Sequence, residues 1–271
     1  PSGATVLQVD HGGWDGYALA EGVFPSYSDI DAGAMAEAAV DLAVRRLIAA
    51  GASPDRIAAL DNFCWPDPLP GSANPDAERK LAQLVRASRG LAHCCEAYRV
   101  PLISGKDSMK NDAVVGGRRI SVPPTLLVSA IGLVADVRRA MTLEPDGPGR
   151  VLIVVGDSHA ELGGTEWAAH RRVAAGRVPR VDPEAWAPRY RAVSEVIREG
   201  LVTAAHAPGR GGLLPSLFFM ARAGACGLAV DLDMVPGGAE AGFEAAAYGE
   251  SAGRFLLACP AEAVDSVLER L

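Results

Sequence analysis

Aromatic residues are scarce in this 271-residue chain: they make up 6% of it, against 49% for all hydrophobic types. Its cores must be filled by aliphatic and small side chains packed closely together. Basic residues are not in excess either. With 26 Lys and Arg against 33 Asp and Glu, the net charge is −7. That balance excludes a general affinity for nucleic acid or an anionic membrane, while leaving room for a local basic site. No apolar run reaches the roughly 18 residues of a membrane-crossing helix, because Arg, Asp or Gly interrupts each candidate. The opening PSGATVLQVDHGG lacks the basic-then-apolar layout of a secretory leader. Cysteines are few, and Cys64, Cys94, Cys95, Cys226 and Cys259 form no C-x-x-C pair. That spacing argues against zinc and reads as small buried hydrophobes in a reducing, cytoplasmic setting. The five histidines do not cluster.

What the chain does have is alternation of strand and helix patterns. Strands are expected at 4–9, 16–20, 56–63, 100–104 and 124–136, with a helix over 32–50 that Gly51 stops. Asn74-Pro75 predicts a second helix start, running to about Tyr98, with Leu81, Leu84, Val85, Leu91, Ala92 and Cys95 on one apolar face. The stretch TLEPDGPGR, at 142–150, reads as a boundary. Beyond it come a strand in VLIVVGD, helices at 183–199, 212–223, 239–247 and 261–271, and strands at 201–205, 227–232 and 254–259. The fold class is therefore α/β (α+β) in two domains, 1–142 with a mixed sheet and 143–271 of α/β type.

Four segments place polar residues where a buried strand meets a loop, the usual location of sites in α/β proteins. They are Asp61-Asn62; Lys106-Asp107-Ser108; Gly156-Asp157 with Glu161 to Thr165; and His206 to Leu213, which opens a helix. Carboxylates such as Asp61 and Asp107 are hard oxygen ligands suited to Mg²⁺. Lys106 is a compact cation for phosphate oxygens. Gly211-Gly212 at a helix start brings backbone N–H groups to an anion. Each also has a bland reading, as a turn or a helix cap, and none decides function alone.

In order, however, ALDNFCWPDP, KLAQLVRA, PLISGKDSM, ISVPPTLLVSAIG, ELGGT, GGLLPSLFFMARAG and ESAGRFLL resemble the C-terminal half of phosphoribosylformylglycinamidine synthase of the small type. That family lies in the aminoimidazole ribonucleotide synthetase-like superfamily, with selenophosphate synthetase and thiamine-monophosphate kinase. The likeness covers about residues 4 to 260. It implies a purine-pathway ligase in which ATP activates an amide oxygen and glutamine-derived ammonia displaces phosphate. It also implies two homologous halves whose N-terminal sheets pair into a barrel-like core, or a homodimer of this half, and a glutamine amidotransferase subunit as partner. The catalytic residues belong to the other half, so none is assigned here. The auxiliary nucleotide site of this half would draw on Asp31, Asp61, Asn62, Lys106, Asp107, Ser108, His206, Gly211 and Gly212, with Asp31 and Asp107 on Mg²⁺.

The sequence departs from that pattern at telling places. Leu42 and Arg46 stand where the family has a Glu and an Asn facing the metal, and Ala207 and Arg210 replace two acids of the His-Asp-x-Ser-Asp/Glu-Gly-Gly-Leu motif. Val40, Val44, Leu47 and Ile48 define one apolar arc, leaving Leu42 and Arg46 roughly opposite, where an exposed Leu needs a cover. Arg46 or Arg210 could pair with Asp31, Asp61 or Asp107 as a plug. Glu37, Asp41 and Arg45, four apart, read as helix-face ion pairs without function. The expectation is a structural half with a degenerate site that binds neither ATP/ADP nor Mg²⁺. The alternatives are a small ATP-dependent phosphotransferase of the superfamily, and a sugar-phosphate-binding module using Gly163-Gly164-Thr165 and Arg210.

Overall fold

Strict alternation builds the first sheet. Along β2 (Gly16–Val23) the positions Gly16, Ala18, Ala20 and Gly22 turn inward, while Leu19 and Glu21 face out. β7 (Thr125–Val134) repeats the pattern with Leu126, Val128, Ala130 and Val134 buried. With β1 (Ala4–Gln8), β3 (Ile57–Cys64) and β4 (Leu102–Ser108) they form a five-stranded sheet in the order β1-β2-β7-β3-β4. Only the β3–β4 pair is parallel; the others are antiparallel. The computed structural model describes residues 3–72 and 74–271.

Inward residues on β2 are small because α1 (Ala32–Ala49) lies directly on it. A Cβ added at Gly22 would sit 1.9 Å from the Ala39 carbonyl oxygen. Asp31 starts the helix, its Oδ1 accepting from the N–H groups of Gly33 at 2.9 Å and Ala34 at 3.1 Å. α1 is covered on nearly every side: the sheet lies on one face, and α2 (Ala77–Tyr98) and α4 (Pro183–Arg198) pack on the others. The expected outward face of α1 is thus an interior one, and Leu42 is 1% exposed.

α2 departs from expectation in start and in rotation. Asn74 does not cap it. Its amide instead donates to the carbonyls of Asp67 and Leu69, both at 2.8 Å, and its Oδ1 accepts from Lys80 at 2.8 Å. The buried side carries Lys80, Ala87, Leu91, Cys94, Cys95 and Tyr98, while Leu81 and Val85 are exposed. Small side chains on that side let α1 and α4 approach closely, and Lys80 is buried because Asn74, Ser121 and Asp76 satisfy its ammonium.

The second unit holds a three-stranded antiparallel sheet, β8 (Arg150–Val155), β10 (Phe255–Pro260) and β9 (Ala204–His206), with β10 central and buried from Phe255 to Cys259. Helices α5 (Leu213–Ala223) and α8 (Val264–Arg270) share its apolar clusters through Leu213, Leu217, Met220 and Val267. The helix expected at 239–247 is broken at Gly242 (φ +83°) into α6 (Gly238–Ala241) and α7 (Phe243–Tyr248). Residues 227–232 form no strand and end in a 3-10 turn, and the segment from 201 joins the sheet only at Ala204. Leu201 is still held by the end of α4, its N–H donating to Val196 O at 3.2 Å. Three short elements escaped the periodicity: the hairpin β5 (Asp112–Val115) and β6 (Arg118–Ser121), and α3 (Glu166–Arg171). One apolar cluster runs through both units, from Ala18 to Val267. Among the described residues no helix is long and apolar enough to cross a membrane.

Candidate functional site

The residues singled out in the sequence fall in three places. On the β3–β4 edge, Asp61 pairs with Gly105, Asn62 with Lys106, Phe63 with Asp107 and Cys64 with Ser108. Paired residues of neighbouring strands share a face. Asn62, Lys106 and Ser108 therefore lie on the open face, whereas Asp61 and Asp107 lie on the helix side with buried Phe63. Lys106 Nζ donates to Ser108 Oγ at 3.0 Å. Burial lifts the Asp61 carboxyl above its ordinary range, and the charge of Asp107 pushes the same way.

Asp31 is engaged elsewhere. Its Oδ2 meets Arg180 Nη1 at 2.9 Å, over an open groove of about 310 Å³ that Glu37, Arg86, Arg89 and His93 also line. None of the β3–β4 residues lines this groove. His93 bridges the two units there, with Nδ1 3.4 Å from Glu37 and Nε2 3.0 Å from Glu184.

The third cluster gathers Leu42, Arg46, His206 and Ala207. Arg46 Nη1 donates to the Glu21 carbonyl at 2.6 Å, and the side-chain methyls of Leu42 fill the space over Gly209, 3.2 and 3.3 Å from where a Cβ would be. Ala207 is 2% exposed. Beside them His206 is pushed down to about 4, by burial first and then by the charges of Arg46 and Arg45. Neither Arg46 nor Arg210 forms the expected plug with Asp31, Asp61 or Asp107. Arg46 reaches a backbone carbonyl, and Arg210 binds Glu166, with Nε at 2.8 Å.

The glycine turn is also occupied, by the protein itself. Gly211 and Gly212 hold φ of +87° and +80°, and a Cβ at Gly212 would lie 2.5 Å from Gly249 O. The Gly211 N–H donates to Glu250 Oε1 at 2.9 Å, the Glu166 N–H at the start of α3 donates to the same oxygen at 2.8 Å, and Tyr27 donates to Oε2 at 2.8 Å. Burial raises the Glu250 pKa, although these three donors oppose the shift. Behind it Arg254, wholly buried, donates to Gly249 O at 2.6 Å, Ser158 Oγ at 2.9 Å and Ser251 O at 3.0 Å.

Asp41 and Arg45 are not a surface ion pair. Both are buried, joined Nε to Oδ2 at 2.6 Å. Asp41 Oδ1 accepts from Tyr98 at 2.9 Å and from Tyr190, and Arg45 Nη1 reaches the carbonyls of Pro208 at 2.8 Å and Arg254 at 3.1 Å. This network ties α1 and α2 to the second unit. Sequence reasoning assigned no role to Asp41, Arg45, Tyr27, Glu250, Arg254 or Tyr190. The available signal was ionic residues inside otherwise apolar stretches, AAVDLAVR and ESAGRFLL.

Residues 3–134 match the profile of the AIR synthase related protein, N-terminal domain, and residues 147–271 that of its C-terminal domain. The chain belongs to the AIR synthase related family. It is 32% identical over 271 residues to the phosphoribosylformylglycinamidine synthase subunit PurL of Methanocaldococcus jannaschii, covering 99% of this chain and 36% of that protein. Thermotoga maritima PurL complexed with FGAR superposes with a TM-score of 0.76 at 20% identity, over 99% of this chain and 41% of the other. The same protein complexed with ADP gives 0.73 at 22% identity, over 100% and 39%. These superpositions show a shared fold. The chain spans about a third of the length of the curated relatives it matches.

Proposed function

We propose that this chain is the second, architectural half of an ATP-dependent amidine-forming ligase of the phosphoribosylformylglycinamidine synthase type, working in the cytoplasm, with its own auxiliary nucleotide site closed. The observation that carries the reading is the interlocked packing of Leu42, Arg46, Ala207 and Gly209. Mg²⁺ wants about six oxygens in a tight shell. Here an aliphatic side chain, a guanidinium and a methyl group stand at three of the positions where the family supplies ligands, so the residues present do not fit the ion. The backbone N–H of Gly211, suited to a phosphate, is taken by the carboxylate of Glu250. Asp31, Asp61, Asn62, Lys106, Asp107, Ser108, His206, Gly211 and Gly212 are then the remains of a site.

The uncovered sheet face supports the architectural role. Leu7, Leu19, Leu60 and Leu133 are exposed on β1, β2, β3 and β7, a surface that suits burial against a homologous half or a second copy of this chain. A glutamine amidotransferase subunit would complete the assembly. Calorimetric titration tests the closed site: Mg-ADP gives no saturable heat with the unaltered chain, and binding at micromolar affinity overturns the reading. Restoring the oxygen ligands of the family pattern, as Leu42→Glu with Arg46→Asn and Ala207→Asp, is the companion measurement and should introduce Mg²⁺-dependent binding.

A further inference from the structure

A cleft of about 230 Å³ lies on the seam between the two units, and none of Asp31, Asp61, Asp107, His206 or Gly211 lines it. One wall is the turn after α1 together with the end of β7; the other is α4. Its floor is apolar, with Val134 and Ile197 buried. Of the arginines at its rim, Arg191 is neutralised by Asp55. Asp136 is held by Arg138 through Nε at 2.9 Å and Nη2 at 2.7 Å. That leaves one guanidinium on each wall, Arg139 and Arg198, with no ion pair or hydrogen bond among the described residues. Arg139 Nη2 comes within 3.9 Å of the place a Cβ on Gly200 would take, two residues past Arg198, so the first wall's guanidinium reaches across to the end of α4.

A guanidinium on each wall of an apolar-floored cleft suits a planar or tetrahedral oxyanion, which Arg engages through two parallel N–H donors, although Arg139 also lies near enough to Asp136 to help Arg138 hold that carboxyl below its ordinary range. Hydroxyls flank them. Ser194 lies one turn before Arg198 on α4, and Ser53 lines the opposite wall. Glu195 is the remaining lining carboxylate without a cation of its own, and it opposes a second anionic group in the same space.

We propose that this interdomain cleft binds a small organic anion carrying a single oxyanion, its charge held between Arg139 and Arg198 and its carbon body resting on Val134 and Ile197. The carboxylate of a short acid and the phosphate of a small ester share this chemistry.

The test is melting temperature of the chain at constant ionic strength against glycerol 3-phosphate, against butyrate, and against chloride as control. At least one organic anion raises the midpoint saturably while chloride does not, and the one that does identifies the source. Arg139→Gln and Arg198→Gln each weaken that binding roughly tenfold or more, whereas Arg118→Gln, on the β5–β6 hairpin outside the cleft, leaves it within about twofold. Arg139→Lys and Arg198→Lys keep the charge but lose the fork and give intermediate affinities, which separates recognition from loss of folding. No saturable effect of either anion, or an effect that survives both Gln substitutions, overturns the proposal.

Discussion

His93 and His206 titrate in opposite directions because their partners differ. Burial disfavours the charged ring of His93, but its hydrogen bonds and charge contacts with Glu37 and Glu184 outweigh burial and raise its pKa above the ordinary 6.5. Arg180, Asp31, Arg86 and Arg89 across the groove, and Asp182, His159, Asp157 and Glu161 beyond it, complete the charges facing this ring. A pKa raised on folding adds stability that is complete below the unfolded value and disappears as pH climbs through the folded one. We predict that His93→Gln lowers the melting temperature at pH ~6 and that the gap to the unaltered chain closes by pH ~9. His206 has the reverse sign. Its pKa falls from 6.5 to about 4, so the unfolded chain takes up a proton between those values while the folded one does not. Stability should therefore drop on acidification from pH ~6.5 to ~4, and His206→Gln should flatten that slope in urea titrations at several pH values. A slope unchanged in the variant would remove His206 as its source.

Helix α1 shows how much of an element a sequence pattern carries. Its span was legible, 32–50 expected against Ala32–Ala49 observed, because the Asp31 cap and Gly51 mark its ends locally. Its environment was not, since Leu42 and Asp41 read alike as solvent-facing until the Gly209 turn covers the one and Tyr98 and Tyr190 reach the other. The same holds for α2, whose inward face depends on which neighbours arrive. Two measurements bear on α1. Asp41→Ala leaves Arg45 charged in a dry interior and should cost about 3–5 kcal/mol in urea unfolding, whereas a solvated helix-face pair would cost a few tenths. Gly22→Ala drives a methyl into the Ala39 carbonyl and should cost about 1–3 kcal/mol.

At the scale of the whole molecule, the first sheet has one face packed on α1 and one left open, with Leu7, Leu19, Leu60 and Leu133 exposed. A face of that kind suits burial against another protein surface. Light scattering of the isolated chain at high concentration should return twice the mass of one chain, and Leu19→Glu with Leu133→Glu should return it to one. A single-chain mass for the unaltered protein would count against pairing through this face.

The sequence by itself determined the alternation of strands and helices, the order of the motifs and the family to which they belong, because periodicity, caps and glycine turns act over a few residues. It also determined that Leu42 and Ala207 offer no ligating atom, whatever the fold. Only the tertiary structure decided what surrounds the polar groups. Glu250 at the Gly211 turn, the buried Asp41–Arg45 pair and the two histidine environments each join residues far apart in the chain or set their burial. Desolvation and long-range hydrogen bonding, which govern those groups, exist only once the two units have packed together.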